Sequence, residues 1–66
     1  MKIRVEKLTE EDKFGAVYGL ISEDGEILFT HFCSNKSFAY GDLYEHRPDR
    51  IKELTDRFGK VELIKN

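Results

Sequence analysis

The sequence predicts an α+β fold: a small antiparallel sheet of three N-terminal strands plus a C-terminal strand, with one main helix packed on one face. Three observations predict it. Residues 2–8 alternate apolar and charged side chains, Asp24-Gly25 stands between two apolar runs, and Pro48 and Gly59 bracket an apolar stripe at helical spacing. The chain has 66 residues, which makes it a single α+β domain over 1–66. A domain of about 60 residues buries only roughly 60% of the surface its unfolded chain exposes, so the core is thin.

In the first strand Ile3 and Val5 alternate with Lys2, Arg4 and Glu6, the period of a half-buried strand. Residues 9–13 are polar and read as a loop. Residues 14–22 are mostly apolar and suit a central strand, in which Gly15 and Gly19 mark a bulge or a place where a large neighbour lies against the backbone. Asp24-Gly25 then predicts a hairpin, because glycine takes positive φ without steric cost. Residues 26–32 form the returning strand, with Ile27, Phe29 and His31 on one face and Leu28, Thr30 and Phe32 on the other.

Residues 33–47 are the least regular. A short helix over 37–44 is expected, capped by Ser34 or Ser37, with Ala39 and Leu43 at i,i+4 and Gly41 weakening its middle. Pro48 starts the clearest helix, with Asp49 in its first turn. Ile51, Leu54, Thr55 and Phe58 make its buried stripe, and Lys52 with Asp56 and Glu53 with Arg57 make i,i+4 pairs on the solvated side. Gly59 closes the helix, and residues 60–65 alternate as a last strand.

Charge excludes several function classes. Lys and Arg total 11, Asp and Glu total 13, and the net charge is −2. That balance disfavours a nucleic-acid binder driven by phosphate neutralisation and an acidic mimic of DNA alike. The basic residues after Arg47 are interleaved with Asp49, Glu53 and Asp56, which reads as a salt-bridged solvent face. No apolar run approaches the length of a signal peptide or a membrane span, so no membrane partner is expected. The single cysteine, Cys33, makes no intramolecular disulfide, and a reducing cytoplasmic setting is the simplest fit.

The chain carries no phosphate-cradling glycine motif, and no cofactor is expected. His31, Cys33 and His46 are the soft metal ligands, but their spacing matches no zinc signature. Cys33 near a histidine invites a nucleophile–base reading, against which a free cysteine is more often simply buried. No catalytic constellation follows from these residues, so the chain reads as a non-enzyme. Asp42 sits among Tyr40, Leu43 and Tyr44, where capping or a backbone hydrogen bond is its ordinary role.

The aromatic residues carry the functional expectation. Phe29, Phe32, Phe38, Tyr40 and Tyr44 surround the polar segment 33–37. Phe29, Phe38 and Phe58 are assigned to the core. Tyrosine joins an apolar body to a polar tip and suits interfaces, so Tyr40, Tyr44, Asn35, Lys36, Asp42 and His46 form the expected partner-binding set. The partner is another protein, with a homodimer as a further expectation. The alternatives are a small-ligand or metal-sequestering protein using His31, Cys33 and His46, and a self-assembling subunit that pairs an exposed strand edge.

A hairpin ending in His31-Phe32-Cys33-Ser34 is followed by Phe38-Ala39-Tyr40-Gly41-Asp42-Leu43, then Arg47-Pro48, then Phe58-Gly59 before the last strand. From residue 14 onward this pattern resembles a loose group of small bacteriophage-encoded proteins with no assigned activity. The resemblance implies an accessory protein that binds, and inhibits or modulates, a host protein.

Overall fold

The computed structural model describes residues 1–10 and 13–65. Residues 11 and 12 of the expected loop at 9–13 lie outside the described residues. The strands are β1 (Lys2–Lys7), β2 (Ala16–Ser22), β3 (Ile27–Cys33) and β4 (Glu62–Ile64). Between β3 and β4 come α1 (Lys36–Tyr40), a π-helical turn (Gly41–Glu45) and α2 (Pro48–Phe58). The sheet runs in the order β3-β2-β1-β4. The α+β fold, with three N-terminal strands and a C-terminal one, is as the sequence predicts. The sheet is mixed, however, because β4 lies parallel to β1, pairing Ile3 with Leu63. The helices between β3 and β4 form the crossover that lets β4 run that way. Met1 fastens the join, its amino group donating to the Lys60 carbonyl (2.7 Å) and its own carbonyl accepting from the Glu62 N–H (2.9 Å).

The β2–β3 hairpin closes as Asp24-Gly25 leads one to expect. Gly25 has φ 87°, its N–H donates to the Ser22 carbonyl (3.0 Å), and the Ser22 N–H donates to the Glu26 carbonyl (2.9 Å). The Ser22 hydroxyl, although buried, accepts from the Glu26 N–H at 3.1 Å. Leu20 pairs with Phe29 but Ile21 with Ile27, so Leu28 is the extra residue of a β-bulge.

Alternation along the strands sorts the sheet into two faces. Ile3, Val5, Ala16, Tyr18, Leu20 and Cys33 point to the face covered by the helical layer and form its core with Ala39, Tyr40, Leu43 and Leu54. The other face carries Arg4 and Glu6 from β1, Val17, Gly19 and Ile21 from β2, and Ile27, Thr30 and Phe32 from β3. Among the described residues no helix lies on it.

Within the helical layer α1 and the π-helical turn lie against the strands, and α2 packs on the π-helical turn. Leu54 is the buried anchor of α2, with Ile51 and Phe58 half-buried beside it. Thr55 is exposed, so the stripe is narrower than its spacing suggests. Lys52 and Asp56 pair at 2.8 Å as expected. Arg57 does not pair with Glu53. It reaches the hairpin instead, donating to both carboxylate oxygens of Glu26 at 3.0 and 3.1 Å. Among the described residues no helix is long and apolar enough to cross a membrane.

Candidate functional site

The segment after β3 was expected to be one short helix with a serine cap. It is two pieces, and the cap is Asn35. The Asn35 carboxamide oxygen accepts from the Phe38 N–H at 3.1 Å and from the Ser37 hydroxyl at 2.7 Å. Asparagine caps as well as serine does, so either residue type satisfies the same orphan donor, and composition alone did not choose. After Tyr40 the backbone widens. The His46 N–H donates to the Gly41 carbonyl (3.0 Å), five residues back, and the His46 ring lies over Gly41. A β-carbon at Gly41 would stand 2.5 Å from the ring's Cδ2, so the close approach depends on glycine.

Widening leaves carbonyls at the end of the turn without helical donors. Two arginines supply them. The Arg47 Nε donates to the Asp42 carbonyl at 3.2 Å, and the Arg50 guanidinium reaches the same carbonyl at 3.2 Å and that of Leu43 at 3.5 Å. Arg50 also stacks over the Phe29 ring at 4.7 Å. One side chain thus ties α2, the π-helical turn and β3 together.

The expected partner-binding set divides. Tyr40 is only 9% exposed and belongs to the core, with Lys65 over its ring at 5.2 Å. It offers no aromatic contact surface, because it and Ala39 are the residues that α1 turns inward. Tyr44 is half-buried against the same core. Asn35 is occupied as a cap, Lys36 and Asp42 are half-buried, and His46 is exposed. Asp42 makes no side-chain cap; its carboxylate stands 3.7 Å from the His31 Nε2, beyond hydrogen-bond distance. Phe38, assigned to the core, is 57% exposed, since it sits just before the inward-facing pair on a helix of five residues. Phe29 and Phe58 are half-buried, in line with their assignment.

Cys33 is buried, and burial, reinforced by the Asp42 carboxylate, pushes its thiol above the ordinary value of 9.0. That is the opposite of an activated nucleophile. Among the described residues no three His, Cys, Asp or Glu side chains gather as a metal site. One surface hollow, of about 260 Å³, is lined by Lys2, Ile3, Arg4, Glu23 and Ile64. Another runs along the charged side of α2 between Asp49 and Arg57. Neither brings a nucleophile and a base together. A further hollow is lined by Lys7, Leu8, Thr9 and Glu10.

What the sequence did not single out is which side chains stand in the open on the uncovered face. Beside the exposed Glu6 and Thr30 that face carries large apolar side chains in the open: Ile27 is 54% exposed, Phe32 53% and Leu8 37%. Leu8 lies across Gly19, where an added β-carbon would meet its Cδ1 at 2.7 Å; this is the large neighbour against the backbone that Gly19 led one to expect. Phe14, just ahead of β2, is 69% exposed. β3 carries apolar side chains on both faces, so its alternation does not tell which side is bare. Comparison of the chain with protein-family models, with curated proteins and with solved structures finds no match in any of the three.

Proposed function

We propose that this chain is a small, non-enzymatic protein-binding module whose contact surface is the uncovered face of the sheet. One observation carries the proposal: Leu8, Ile27 and Phe32 stand exposed on a face that no helix covers, in a domain too small to leave apolar surface to spare. Phenylalanine and branched aliphatic side chains on a preformed sheet provide rigid apolar contact at low entropic cost. The Arg4–Glu6 pair (2.7 Å) beside them gives a polar margin. In the setting that the sequence resemblance implies, the module works in the cytoplasm of a host cell as an accessory protein, and its partner is a host protein that it inhibits or modulates.

The test is affinity capture with the wild-type chain, an Ile27→Ala/Phe32→Ala variant and a Phe38→Ala variant, followed by calorimetry with the purified partner. Binding lost in the first variant and kept in the second supports the sheet face. Binding kept in the first and lost in the second moves the contact surface to α1.

A further inference from the structure

We draw no further inference here: the strongest candidate, the open edge of β3 beside the exposed Ile27 and Phe32, carries nothing, because nothing in the structure shows what covers it.

Discussion

The two faces of the sheet divide the work of the molecule. On the covered face Ile3, Val5, Tyr18 and Leu20 are sealed by α1 and the π-helical turn, and no buried side-chain polar atom among the described residues lacks a partner. On the uncovered face Ile21 is buried among its neighbours, but Ile27 and Phe32 of β3 are more than half exposed, and no helix among the described residues lies across from them. The same strand therefore spends Phe29 and Cys33 on stability and leaves Ile27 and Phe32 available for contact. The difference teaches that apolar content in a small domain is not a measure of its core. What counts is which side of the pleat receives a second layer.

The covered face should be the fragile one. Leu20 is fully buried, and Leu20→Ala removes its packing and leaves a cavity costing about 3 kcal/mol. That is a large part of the total for a chain whose stability is about 3–10 kcal/mol at ordinary per-residue values. Urea titration should show a much lower midpoint. Gly15→Ala comes next. With φ 132° and the Cys33 backbone in the way, the variant loses about 2 kcal/mol or more. Gly19→Ala meets side-chain atoms and no backbone, Leu8 Cδ1 at 2.7 Å and Ile21 Cδ1 at 3.2 Å, which can shift, and should cost about 1 kcal/mol, less than Gly15→Ala. Equal losses at the two glycines would break the contrast between a backbone obstruction and a movable side chain.

Arg50→Ala should cost about 1–2 kcal/mol, because it strips the donors from the Asp42 and Leu43 carbonyls and the cation from over Phe29. Thermal unfolding measures this, and Arg50→Lys should recover only part of it, since an ammonium has no planar fork. The smallest effect concerns pH. The fold holds Cys33 as the neutral thiol, so its folded pKa lies above the unfolded value near 9.0. The stability tied to that thiol is complete below pH 9.0 and fades as pH rises through the raised folded pKa. The stability gap between wild type and Cys33→Ala should therefore narrow above pH 9.0. In keeping with this, the native thiol should react with iodoacetamide more slowly than the unfolded chain does.

Much of this architecture was legible in the sequence, and the exceptions share a cause. Asp24-Gly25 and the Pro48-to-Gly59 bracket act through local backbone preference, and both elements stand where those residues place them. Three features depend on what meets what in space. The Gly41–Glu45 turn adopts π geometry with His46 folded over Gly41, whereas glycine in a sequence simply weakens a helix. β4 lies beside β1 and parallel to it because the crossover helices return the chain there, which its three residues do not encode. Tyr40 turns inward and Phe38 outward on a helix of five residues, too short for its periodicity to assign a buried side. The candidate surface was hidden for a related reason. In the sequence the tyrosines and polar residues after β3 point to a partner, while the exposed apolar side chains stand on β3 itself and in the segment before β2.

The most direct test of this division is thermal unfolding of wild type, Leu20→Ala and Phe32→Ala, measured at a concentration low enough to keep every sample monomeric. For a domain of this size about 1 kcal/mol moves Tm by roughly 4–8 °C. The account predicts that Leu20→Ala falls by roughly 12 °C or more while Phe32→Ala stays within about 4 °C of wild type. A Phe32→Ala variant that falls as far as Leu20→Ala would contradict it, since Phe32 would then be holding the fold together rather than standing ready for a partner.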